Sequence, residues 1–120
     1  MRQPAIPPGE RLDIAIDRQG EDAVLRVAGR INVDSSPDFR DHLRAVLSEE
    51  PPPRTVTVDL AGVPYIETSG VATLIEALRV ASHRNIRLNL RGLCGAVLRL
   101  FEVTGVKAMF EATMQEQKIS

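Results

Sequence analysis

Thr68-Ser69-Gly70 places two hydroxyls and a glycine where a loop meets an apolar periodic segment. At a helix start the first amides lack partners and the dipole is positive, so an anion is favoured there. Either hydroxyl can also serve as a simple N-cap, which any helix start can use. No capping box accompanies them, because Val71 and Ala72 occupy the third position on from Thr68 and Ser69. Gly70 inside the first turn costs roughly 0.5–1 kcal/mol relative to alanine, which points to something that approaches the backbone closely. On these residues alone, cap and functional group both stay open.

Other chemistries lack their parts. There is no GxxxxGK[ST] or GxGxxG motif, and the only lysines are Lys107 and Lys118. A hydrolytic hydroxyl needs a nearby base, and His83 falls near the far end of the same helix, about 20 Å away at about 1.5 Å per residue. Asp59 at a strand end would suit a phospho-accepting aspartate. That reading also needs a pair of acids after an earlier strand and a lysine after a later one, where Ala28-Gly29-Arg30 and Arg91-Gly92 stand instead. The single Cys94 excludes an internal disulfide and a multi-cysteine zinc site, and the separated His42 and His83 argue against a histidine metal site. No cofactor or metal is expected.

The elements that must position the hydroxyls follow from periodicity. Leu12, Ile14 and Ile16 alternate with polar or small residues as in a half-buried strand, and residues 23–28 form a second strand after the turn Gln19-Gly20-Glu21-Asp22, so the two read as a hairpin. Residues 30–35 form a loop. Ser36-Pro37 reads as a helix start with the Ser36 hydroxyl as cap, and Phe39, Leu43, Val46 and Leu47 continue at helical spacing until Pro51-Pro52-Pro53. Residues 55–60 read as a central strand, 61–70 as a loop, and 69–84 as a helix with Val71, Leu74, Ile75, Leu78 and Ala81 on one stripe. Residues 86–91 give a further strand, and Leu93, Val97, Leu100 and Phe101 a short helix that stops near Thr104-Gly105. The residues after Lys107 are ambiguous by pattern: 108–114 can form a short final strand and 115–120 a frayed tail.

Strands alternating with helices imply a largely parallel sheet, and the hairpin adds antiparallel character. The expected fold is therefore an α/β sandwich: one mixed sheet with an opening hairpin and helices packed against it. Binding residues in such sheets sit beyond the carboxyl ends of strands, which selects the loops 30–35 and 61–70. One domain is expected over 12–114, with a flexible lead-in at 1–11 and the tail at 115–120. The 120 residues are 43% hydrophobic, enough for one core. Fifteen Lys and Arg against sixteen Asp and Glu give a net charge of -1, which argues against a nucleic-acid-coating surface or one that adheres to membranes. No apolar signal-peptide run and no stretch near the ~20 residues of a membrane span is visible, so a soluble cytoplasmic domain is the default reading.

Val58-Asp59-Leu60-Ala61-Gly62-Val63-Pro64-Tyr65-Ile66-Glu67-Thr68-Ser69-Gly70-Val71 strongly resembles the signature of STAS domains, the fold of bacterial anti-sigma-factor antagonists. Leu93-Cys94-Gly95-Ala96-Val97-Leu98-Arg99-Leu100-Phe101-Glu102-Val103-Thr104-Gly105-Val106 looks like the family's second hallmark, a short helix closing at Thr-Gly, and Val27-Ala28-Gly29-Arg30-Ile31-Asn32 matches the start of its first loop. The resemblance spans roughly residues 12–111. Departures are local: Glu67 stands where aspartate is usual, Thr68 where serine is commoner, and Asn32 and Arg30 where acids are frequent.

The resemblance implies a non-enzymatic regulator working by partner switching. In such antagonists the hydroxyl directly after the acid is phosphorylated by a serine/threonine kinase that doubles as the anti-sigma factor; by position this is Thr68, with Ser69 as fallback. The unmodified form binds the kinase and frees the sigma factor, and phosphorylation ends the binding. The implied partner surface comprises Arg30, Asn32, Glu67, Thr68, Ser69, Gly70 and Val71. A phosphatase is a further implied partner, and a homodimer stays open. The resemblance also implies an alternative, a cytoplasmic STAS subunit of a phospholipid-transport ABC complex, where the same loop and helix dock on an ATPase. A third reading, from another class, is a small nucleotide-responsive or catalytic domain.

Overall fold

Aliphatic and β-branched residues at every second position build four strands: β1 (Asp13–Gln19), β2 (Asp22–Ala28), β3 (Thr55–Gly62) and β4 (Arg87–Arg91). In the computed structural model, which describes residues 12–119 and the side chains of residues 12–112, they form one sheet in the order β1-β2-β3-β4. β1 runs antiparallel to β2 across a tight turn in which Gly20, at φ +62°, takes the left-handed conformation that a side chain would resist. β2, β3 and β4 are mutually parallel. Helices α1 (Ser36–Leu47) and α2 (Thr68–His83) make the two crossovers, and α3 (Gly95–Val103) and α4 (Val106–Ile119) follow β4. The mixed sheet with its opening hairpin is the expected architecture. The expected lead-in at residues 1–11 and residue 120 lie outside the described residues.

One face of the sheet carries Leu25, Val27, Val56, Val58, Leu60 and Leu88, all buried. Against it lie Phe39, Leu43, Val46 and Leu47 of α1 and Leu74, Ala77, Leu78 and Ala81 of α2. Each fully buried aliphatic or aromatic side chain contributes about 1.5–3 kcal/mol. Ile75, expected on the buried stripe of α2, is only partly covered. On the other face, Ala15, Arg26 and Ala28 are exposed and Thr57 and Asp59 half-buried, so the central strands are not covered equally on both sides.

Three local readings need correction. Residues 108–114 are not a strand: α4 begins at Val106 and its backbone runs through Ile119, so residues 115–119 of the expected tail are helical as well. Val106 and Phe110, four apart, are both buried, which is helical spacing that alternation obscures. The N-cap position of α1 is Ser35, not Ser36, which lies inside the first turn. Neither Thr68 nor Ser69 caps α2, because Glu67 holds that position and makes no side-chain cap bond.

Candidate functional site

The two loops selected by sequence meet because the parallel pairing of β2 and β3 continues past an irregularity. The register shifts between Arg26 and Ala28, where Gly62 comes so close that a Cβ on it would lie 2.9 Å from that of Ala28. Beyond it the Gly29 amide donates to the Gly62 carbonyl at 2.9 Å. Ile31 then forms a parallel bridge with Ile66: its amide donates to the Tyr65 carbonyl at 3.0 Å, and its carbonyl accepts from the Glu67 amide at 2.8 Å. Residues 30–35 and 61–70 are thereby held side by side at the carboxyl end of the sheet.

Local hydrogen bonds shape the first loop. The Asn32 Oδ1 accepts from the amides of Asp34 and Ser35, both at 3.0 Å. Ser35 Oγ accepts from the Asn32 amide at 3.0 Å and donates to the Arg30 carbonyl at 2.9 Å. Asparagine in place of an acid thus spends its side chain on turn formation. Ser36, buried, donates to the Asn32 carbonyl at 2.7 Å and lies 2.8 Å from Ser69 Oγ.

The second loop turns into α2 at Glu67. Its Oε2 accepts from the Val33 amide at 2.9 Å, and its Oε1 from the Tyr65 hydroxyl at 3.3 Å. The guanidinium of Arg30 lies over the Tyr65 ring, 4.9 Å from its centroid. Next to this cluster Thr68 is exposed, and its hydroxyl makes no hydrogen bond among the described residues. The Glu67 carbonyl accepts from the amides of Gly70 and Val71 at 2.9 and 3.2 Å. The amides of Thr68 and Ser69, ahead of these, have no partner among the described residues and remain open to an anion.

Gly70 and Val71, placed by sequence on the partner surface, face inward. A Cβ on Gly70 would lie 2.5 Å from Ile31 Cγ2 and 2.7 Å from Ile66 Cγ1, so the glycine lets the bridged loops seat on the helix. Val71 is 8% exposed and belongs to the core. Arg30, Asn32, Glu67, Thr68 and Ser69 are brought together at one end of the sheet. Thr68 borders a depression of about 440 Å³ lined by Val33, Tyr65, Ile66, Glu67, Thr68, Ser69 and Leu100. Sequence reasoning did not single out Val33, Tyr65 or Leu100. Val33, 67% exposed, has a usable signal as an aliphatic residue in a polar turn. Leu100 has none, since its spacing with Val97 reads as core.

Asp59 serves the sheet. Its Oδ1 accepts from the Ala61 amide at 3.0 Å, and its Oδ2 from Arg91 Nε and Nη2 at 3.2 and 2.9 Å. The Ala61 amide first, and then the Arg91 guanidinium, hold this carboxyl below the ordinary aspartate range against the opposing effect of burial. Cys94 is exposed at the N-cap position of α3, and His83 sits in the last turn of α2, away from Thr68 at the opposite end. Among the described residues no cluster of three His, Cys, Asp or Glu side chains could hold a metal, and no helix is long and apolar enough to cross a membrane.

Residues 14–113 match the family model described as "Mlab, STAS domain". An anti-sigma-B factor antagonist of Listeria monocytogenes is 28% identical over 101 residues, which are 83% of this chain and 87% of that one. Among solved structures, an anti-sigma factor antagonist from Mycobacterium paratuberculosis superposes with a TM-score of 0.70 at 20% identity, over 87% of this chain and 86% of the other. The anti-sigma factor antagonist SpoIIAA in its unphosphorylated form gives 0.62 at 14% identity, over 75% and 82%. At such identities the two structural likenesses speak to the fold.

Proposed function

Because the chain belongs to the STAS domain family, we propose that it is an anti-sigma-factor antagonist that works by binding, not by catalysis, and is switched at Thr68. Unmodified, it binds an anti-sigma factor that is also a serine/threonine kinase and so frees the sigma factor; phosphate on Thr68 ends that binding. The observation that carries this reading is the contrast between neighbours. Thr68 is exposed with an unbonded hydroxyl, whereas the Ser69 hydroxyl is tied to Ser36 at 2.8 Å. Anti-sigma-B factor antagonists recur among the curated relatives.

The physics suits a switch that leaves the fold intact. A phosphate adds about -1.5 to -2 charges, and at Thr68 it would meet the partner-less amides at the start of α2, where the helix dipole favours an anion. The effect then falls on the partner, through bulk and charge beside the depression formed by Val33, Tyr65 and Leu100.

The test is sigma release. Added to a preformed complex of the cognate anti-sigma factor and its sigma factor, the protein and Thr68→Ala should liberate sigma, and Thr68→Glu should not. Failure of the unmodified protein to release sigma refutes the proposal. Co-purification with an ATPase and its permease instead would establish the transporter-subunit reading.

A further inference from the structure

We propose that Arg30 is the internal cation of the switch: once phosphate stands on Thr68, the Arg30 guanidinium leaves the Tyr65 ring and pairs with it. The inference rests on the reading of Thr68 given above and adds what the domain itself does on modification.

Arg30 is exposed, and no carboxylate among the described residues lies within ion-pair distance of it. Among the described residues its guanidinium makes no hydrogen bond or ion pair and lies over the Tyr65 face, 4.9 Å from the ring centroid. The Tyr65 hydroxyl in turn donates to Glu67 at 3.3 Å, and Glu67 immediately precedes Thr68. Backbone bonds between Ile31 and both Tyr65 and Glu67 hold the root of the Arg30 side chain beside that chain of contacts. An exposed cation–π contact is weak beside a charge-assisted, forked bond from arginine to phosphate. A phosphate on Thr68 would also stand next to the Glu67 carboxylate, a like charge that a guanidinium between them relieves. In the unmodified protein the guanidinium therefore waits on an aromatic ring, with no ion pair to give up when it moves. The move would unstack Tyr65, which lines the depression beside Thr68, so modification would alter the docking rim as well as add charge to it.

Tyr65 is the only tyrosine of a chain without tryptophan, so its emission reports the stack directly. Phosphothreonine is installed at position 68 by genetic code expansion, which makes the test independent of the kinase. Phosphorus NMR should then show the phosphate's second ionisation about half a unit or more lower with Arg30 than in Arg30→Gln. Arg99→Gln, which removes a charge next to the depression-lining Leu100, should leave it in place. Tyr65 emission should change on modification with Arg30 present and stay constant in Arg30→Gln. Equal phosphate titrations with and without Arg30, or equal shifts in Arg30→Gln and Arg99→Gln, would overturn the inference. If the kinase leaves Thr68 unmodified while the installed phosphate still recruits Arg30, the switch reading fails and the pairing stands.

Discussion

The Ser69 hydroxyl lies 2.8 Å from that of Ser36, fastening the first turn of α2 to the first turn of α1. Ser36 already donates to the Asn32 carbonyl at 2.7 Å, so its oxygen accepts the proton of Ser69. One short relay thus runs from the helix that carries Thr68 into the loop that carries Arg30 and Asn32. Ser36→Ala removes both bonds and should lower stability by about 1–3 kcal/mol, at about 0.5–1.5 kcal/mol for each. Urea denaturation checks this. The same variant should make Ser69 a better substrate for the kinase, because its hydroxyl is released.

Gly70→Ala should destabilise, although alanine is the better helix former by about 0.5–1 kcal/mol. The new methyl would lie 2.5 Å from Ile31 Cγ2 and 2.7 Å from Ile66 Cγ1, and both side chains are buried. Overpacking of this kind costs about 1–3 kcal/mol. Because Ile31 and Ile66 bridge the two loops, partner affinity should fall with stability. Calorimetric melting and binding to the anti-sigma factor read the two effects separately.

Asp59 sets an acid limit on stability. Its carboxyl is held below the ordinary range when folded, so it adds stability that is fully present above the unfolded value, about 3.9. That contribution is lost as pH falls through the lower folded value. Asp59→Asn should cost about 1 kcal/mol at neutral pH, and the gap to the parent should close between about pH 4 and the acid limit of folding. Urea midpoints measured from pH 7 downward test this; a gap that stays constant into acid contradicts it.

Much of this was legible in the sequence, for identifiable reasons. Alternation in residues 55–60 and the stripe Val71, Leu74, Ile75, Leu78 and Ala81 are strong periodic signals, and the structure buries all of that stripe except Ile75, which is partly covered. Gly70 announced a close approach, although the sequence could not tell that Ile31 and Ile66 make it. The end of the chain misled because Ala108 to Met114 alternates weakly, and the helical pair Val106 and Phe110 gains meaning only through packing. Caps were misplaced, by one residue at α1 and by one or two at α2, and Ser36 and Ser69 find each other in preference to the amides next to them. Such a partner, 33 positions away, leaves no local trace.

The central claim is that Thr68 is the switch. The protein is incubated with its cognate anti-sigma factor kinase and ATP, the modified site is mapped by mass spectrometry, and the affinity of each form for the kinase is measured by titration calorimetry. The predicted result is phosphate on Thr68 alone, an unchanged circular-dichroism spectrum, and an affinity lower by about tenfold or more, equivalent to about 1.4 kcal/mol. Phosphate on Ser69 or on neither hydroxyl, or equal affinity of the two forms, would contradict it.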